Sequence, residues 1–139
     1  MSSLKKSSLS FIYSLSCEDR ALLVDKIDKI VATLISVGSL GCRIRPHSST
    51  LDRYPKIRVT SHDGSRTVSL PLCIYALNHP ERDDSELIEV SHLCGRSNCC
   101  FPLHLTAEPH LLNIQRKRCH RSRGLHRGRC CTHTPKCIL

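Results

Sequence analysis

Ser91-His92-Leu93-Cys94-Gly95-Arg96-Ser97-Asn98-Cys99-Cys100-Phe101-Pro102-Leu103-His104-Leu105 sets Cys94, Cys99 and His104 at even five-residue intervals. A second set follows at Cys119, Cys131, His133 and Cys137. Between Ser91 and Cys137 there are seven cysteines and six histidines, so the chemistry of the chain is concentrated in its last third. Tetrahedral zinc takes four nitrogen or sulfur ligands held by short turns, and such spacing supplies them. Neither His92 nor Asn113 is needed to complete either set. Both are therefore available for chemistry.

Working outward, 139 residues are one ordinary domain's worth. With no Trp, two Phe and three Tyr, the core must rest on Leu, Ile and Val, and metal cross-links benefit a core that small. Ten cysteines fit either a secreted disulfide scaffold or an intracellular zinc protein. The stretch after Lys5-Lys6 is broken by Ser7, Ser8, Ser10, Ser14 and Ser16, a poor signal-peptide core, and no segment approaches the roughly 20 apolar residues of a membrane span. The expectation is a soluble, reduced, intracellular protein without a membrane partner. The formal charge is +9, and it is unevenly placed. Arg116 to Arg129 holds seven Lys/Arg and no acid, while Glu81, Asp83, Asp84, Glu86 and Glu89 crowd one short stretch. A polyanion such as DNA or RNA is the natural partner of the basic surface.

Residues 1–15 are Ser/Lys-rich and expected to be flexible. Leu22, Leu23, Ile27, Ile30, Val31 and Leu34 recur at helical spacing, with Ser16 and Asp19 as start signals, and predict a helix over 16–36. From Arg53 to Leu70 the period changes to two. Tyr54, Lys56, Arg58 and Thr60 alternate with Pro55, Ile57 and Val59, and His62-Asp63-Gly64-Ser65 predicts a hairpin turn. A short helix is expected near 72–77, a strand over 87–93, another short strand over 103–105, and a helix over 107–118 capped by Thr106 with Pro109 in its first turn.

In this order, Ser91-His92-Leu93-Cys94, Cys99, Pro102-Leu103-His104-Leu105, Asn113, Cys119, Cys131-Thr132-His133 and Cys137 resemble the His-Cys box homing endonucleases, which belong to the ββα-metal (His-Me finger) nucleases. Gly64-Ser65-Arg66-Thr67-Val68 resembles part of that family's DNA-contacting sheet. The resemblance implies an α+β fold with a zinc-stabilised ββα-metal core, an antiparallel DNA-binding hairpin and an N-terminal helix. It implies one domain over 1–139, with a DNA-contacting sheet over 42–70 and a zinc-bound active-site region over 87–137. Two structural Zn²⁺ are implied, one on Cys42, Cys94, Cys99 and His104, the other on Cys119, Cys131, His133 and Cys137. Cys73 or Cys100 competes with Cys42 for the fourth position, and Cys130 competes with Cys131.

The implied reaction is Mg²⁺-dependent hydrolysis of double-stranded DNA. A neutral imidazole can activate water near pH 7, which makes His92 the candidate base. Mg²⁺ prefers oxygen ligands, so the Asn113 carbonyl oxygen with phosphate oxygens would hold it and offset charge on the leaving group. Arg53 is the candidate phosphate clamp, with Arg58 and Arg66 as rivals. Tyr54, Lys56, Arg58, Thr60 and Arg66 are the candidate DNA-reading residues, and the basic 116–129 stretch is expected to touch phosphates.

The chain departs from the family in a long, basic loop between Cys119 and Cys131. It also ends two residues after Cys137, so no C-terminal arm to a partner is expected. A homodimer, through the 16–36 helix, is still expected for cutting both strands, and a nuclear location follows from the substrate. The competing readings are a monomeric nickase, a catalytically silent zinc module that regulates through nucleic acid, and a secreted protein with five disulfides.

Overall fold

The computed structural model describes residues 7–46, 55–80, 88–122 and 133–138. The fold is α+β: helices α1 (Ser8–Tyr13), α2 (Cys17–Val31), α3 (Leu70–Asn78) and α4 (His110–Ser122) pack with three two-stranded antiparallel sheets among the described residues. The sheets pair β1 (Ile35–Val37) with β2 (Cys42–Ile44), β3 (Lys56–Ser61) with β4 (Gly64–Ser69), and β5 (Ile88–His92) with β6 (Leu105–Pro109). No helix among the described residues is long and apolar enough to cross a membrane.

Helix α3 is the centre of the core. Leu70, Cys73, Ile74 and Ala76 on it are sealed from solvent, and they meet Leu9 and Ile12 of α1, Leu23 and Ile27 of α2, Ile57, Val59 and Val68 of the hairpin, and Leu105 of β6. Ser69 caps α3, accepting from the Leu72 N–H, and Pro71 occupies its first turn, where a missing N–H costs nothing. The hairpin alternates as its sequence predicts: Ile57, Val59 and Val68 face inward, while Lys56, Arg58, Thr60 and Thr67 face solvent.

Four expectations are corrected. The serine-rich N-terminus, expected to be flexible, holds α1 at Ser8–Tyr13. Leu9 and Ile12 lie on one helical face, Ser7 caps it, and the Tyr13 hydroxyl donates to the His79 carbonyl. Helix α2 ends at Val31 rather than near 36, because Ile35–Val37 pairs with Cys42–Ile44. Gly38 and Gly41, with φ of 73° and 74°, shape the connection between those strands. The second strand of the third sheet is Leu105–Pro109, not 103–105, and Pro102–His104 is a 3₁₀ turn. Helix α4 therefore starts at His110 instead of 107. Pro109 disfavours helical backbone at Glu108, and Thr106 and Ala107 are committed to pairing with Ser91 and Val90.

The start of α2 is tied to the β3–β4 turn by Asp19, whose carboxylate accepts from the His62 backbone N–H at 3.0 Å and from His62 Nδ1 at 2.8 Å. That bond raises the His62 pKa above 6.5, helped by Asp63. It also lowers Asp19 below 3.8. The pair's stabilisation is fully present between those ordinary values. It is lost as pH rises through the raised His62 pKa, and again as pH falls through the lowered Asp19 pKa. NMR titration of the His62 ring should give a midpoint above 6.5, and Asp19→Asn should move that midpoint down toward the ordinary value.

Candidate metal clusters and cleft

Four ligand atoms from β2, the loop after β5 and the 3₁₀ turn converge in one buried group. Cys42 arrives on β2, Cys94 and Cys99 on the loop after β5, and His104 at the end of the 3₁₀ turn; all four are buried, with ligand atoms within 4.8 Å of one another. His104 Nδ1 lies 3.6 Å from Cys42 Sγ and 3.5 Å from Cys99 Sγ. Zinc bonds of about 2.3 Å to sulfur and 2.1 Å to nitrogen give a tetrahedral S···N edge of about 3.6 Å, so the residues fit the ion. The electrostatics fit as well. A hydrogen bond from Cys94 holds the Cys99 thiol down to about 4. The same bond, with burial, pushes Cys94 up, and burial with the charge on Cys99 pushes Cys42 up. The thiols alone thus share one negative charge, whereas a dication lets all three ionise.

The backbone of the loop is braced to hold this set. The Cys100 N–H donates to Arg43 O of β2 at 2.7 Å, and the Leu93 N–H donates to His104 O at 2.7 Å. Arg43 lies over the Phe101 ring, which packs edge-on against His104. Gly95 turns the loop with φ of 75°, and the His120 ring sits where a Cβ would be, only 2.5 Å away. His120 Nε2 donates to Leu93 O at 2.8 Å. The two rivals for the fourth position lie elsewhere. Cys73 and Cys100 belong to the main hydrophobic core, and burial pushes both thiols up to about 12.

A second group joins Cys119 at the end of α4 to His133 and Cys137, with His133 Nδ1 and Cys137 Sγ 3.5 Å apart. The expected fourth member, Cys131, lies outside the described residues, as do its rival Cys130 and the 123–129 part of the basic stretch. Arg116 at the head of that stretch is not a phosphate contact. It is 2% exposed, pairs with buried Glu108 through Nε at 2.6 Å, and donates through Nη1 to Pro135 O at 2.6 Å. It clasps the 133–138 segment to α4.

Strand β5 pairs only with β6 among the described elements, and a cleft of about 250 Å³ lies beside it. Ser69, Pro71 and Leu72 line one side, Glu89, Val90 and His92 the floor, and His110, Asn113 and Lys117 of α4 the other side. The structure therefore brings His92 and Asn113 together. His92 Nε2 lies 3.1 Å from Cys99 O. A carbonyl can only accept, so Nε2 carries the proton and Nδ1 carries the lone pair. Burial holds the imidazole down to about 4, and the ring is neutral at pH 7. Asn113 Nδ2 donates to Glu89 Oε1, which also accepts from His110 Nδ1 at 2.9 Å. Partial burial works against ionisation of Glu89, but these donors, with Lys117 nearby, outweigh it and hold the carboxyl below its usual range.

Arg53 and Tyr54 lie outside the described residues. Lys56, Arg58 and Thr60 share the solvent face of the hairpin, and Lys56 pairs with Ser69, which reaches the cleft. Arg66 is separated from them. It pairs with Val59 on the inner face, where its guanidinium meets Ser7 O and the Phe11 ring of α1. Glu89, His110 and Lys117 were not singled out as site residues from sequence. The available signal was an acid three positions ahead of the candidate base within the expected 87–93 strand, counted in the sequence only as the last member of an acidic stretch.

The family described as the zinc-binding loop region of homing endonuclease matches residues 52–139, more than half of the chain. No curated protein and no solved structure matches it significantly.

Zinc content by elemental analysis should fall by one ion per chain in Cys42→Ser and stay unchanged in Cys73→Ser and Cys100→Ser. Arg116→Met should leave Glu108 buried without its partner and cost about 3–5 kcal/mol in urea unfolding of the zinc-loaded protein.

Proposed function

The chain belongs to the zinc-binding loop family of homing endonucleases, and from that premise we propose that it is a zinc-stapled ββα-metal nuclease that hydrolyses phosphodiester bonds in double-stranded DNA with the help of Mg²⁺. The observation that carries this reading is the meeting of His92 and Asn113 in one cleft, with His92 held as a neutral base by the Cys99 carbonyl. Cys42, Cys94, Cys99 and His104 hold one structural zinc. Cys119, His133 and Cys137, with Cys131, hold a second.

The DNA backbone enters between the start of α3 and α4. Lys56, Arg58 and Thr60 on the hairpin's solvent face contact the duplex and lead it, past Ser69, to the cleft. His92 Nδ1 takes a proton from water as the water oxygen bonds to phosphorus. The bond from phosphorus to the 3′-oxygen breaks on the opposite side, and that oxygen is protonated from solvent. Lys117 faces the phosphate and offsets its charge. Mg²⁺, when bound through the Asn113 carbonyl oxygen, supplies stabilisation of the negative charge that develops on the leaving oxygen. The Asn113 carbonyl oxygen suits Mg²⁺, while the thiol sets suit zinc, so each metal has its own place. A homodimer would place two such sites for cutting both strands at a symmetric site, and the proposed place of action is intracellular, in the nucleus.

Zinc-loaded protein should nick or linearise supercoiled plasmid or cut genomic DNA only with Mg²⁺ present. His92→Ala and Asn113→Ala should each lower the rate by about 10²–10⁴-fold with zinc content unchanged. DNA binding without cutting, across several DNAs and divalent ions, would instead favour a silent zinc module.

A further inference from the structure

An asparagine amide has two ends of nearly the same shape and opposite use. Its oxygen can ligate a cation, and its NH₂ repels one. Which end faces the cleft is settled by what the other end binds. Glu89, on β5 three residues before His92, reaches α4 and accepts from Asn113 Nδ2. An ionised carboxylate has no proton to donate, so it can take only the NH₂ end. His110 Nδ1 donates to the same Oε1 at 2.9 Å and keeps the carboxylate in place. The carbonyl end of Asn113 is thereby turned away from Glu89.

We propose that Glu89 is a positioning residue that locks the Asn113 amide with Oδ1 presented as a divalent-cation ligand, with His110 holding the lock. This rests on the nuclease reading above. Glu89 acts on the cation through Asn113 without ligating it. Groups that orient a metal ligand typically set affinity by 10–100-fold, and that is the size of effect expected here.

The test uses zinc-loaded, ¹⁵N-labelled protein bound to a short cleavage-resistant phosphorothioate duplex, with Mn²⁺ as the probe for the Mg²⁺ position. Line broadening of residues lining the cleft reports Mn²⁺ occupancy without any turnover. Wild type should show saturable broadening. Glu89→Gln keeps the shape but can bond either end of the amide, so it should weaken Mn²⁺ binding at least tenfold. The same change made in Asn113→Ala should have no further effect, because the lock then has nothing to hold. Unchanged Mn²⁺ binding in Glu89→Gln overturns the proposal and leaves the nuclease reading standing. A further loss in the Asn113→Ala background also overturns it, by making Glu89 a ligand in its own right. Absence of Mn²⁺ from the cleft in wild type overturns both.

Discussion

Three buried thiols and an imidazole brought within 4.8 Å of one another are the constraint on which the rest of this structure depends. Cys42 comes from a strand far ahead of the 94–104 segment that supplies the other three, and burial works against ionising all three thiols unless a dication joins them. Closing the set joins the β1–β2 hairpin to the loop between β5 and β6. That loop carries Cys99, whose side chain belongs to the metal set and whose carbonyl holds His92 Nε2. The metal staple and the orientation of the candidate base are therefore one structural event. The far end of α4 is held in the same manner by Cys119 with His133 and Cys137, and the buried Arg116–Glu108 pair connects that helix back to β6.

A chain with two Phe and no Trp has little large apolar surface to bury, so its conventional core is confined to the layer around α3. The third sheet packs on that layer through Ile88, Val90, Leu105 and Ala107, and the metal-type clusters form separate buried groups beside it. Among the described residues, β5 pairs with β6 alone. The cleft beside β5 gathers the candidate side chains His92 and Asn113.

Much of this was legible in the sequence, for identifiable reasons. Ligand spacing survives folding because it reflects the reach of short turns, so Cys94, Cys99 and His104 could be grouped on sight. Two-residue alternation gave the hairpin with its faces in the right sense at Ile57, Val59 and Val68. Other features depend on tertiary partners that no local pattern contains. Arg66 alternates in step with Val59, and only the packing of α1 shows what occupies that face. Arg116 read as one more basic residue in a charged run, yet a buried acid eight positions earlier claims it. Glu89 fell within the expected 87–93 strand, but its hydrogen-bond partners come from α4, more than twenty residues away, so no local pattern marks it. The N-terminal helix was hidden by serine content, since a two-residue apolar face carries little periodic signal.

Zinc that builds and an oxygen-bound cation that works are the two halves of the account, and they are separable by element. Anomalous diffraction from crystals of zinc-loaded protein with DNA and Mn²⁺, recorded at both metal edges, tests them together. The account predicts zinc at Cys42, Cys94, Cys99 and His104 and at the Cys119, His133 and Cys137 group, with manganese in the cleft beside Asn113. Zinc beside Asn113, or a DNA-filled cleft without manganese, would contradict it.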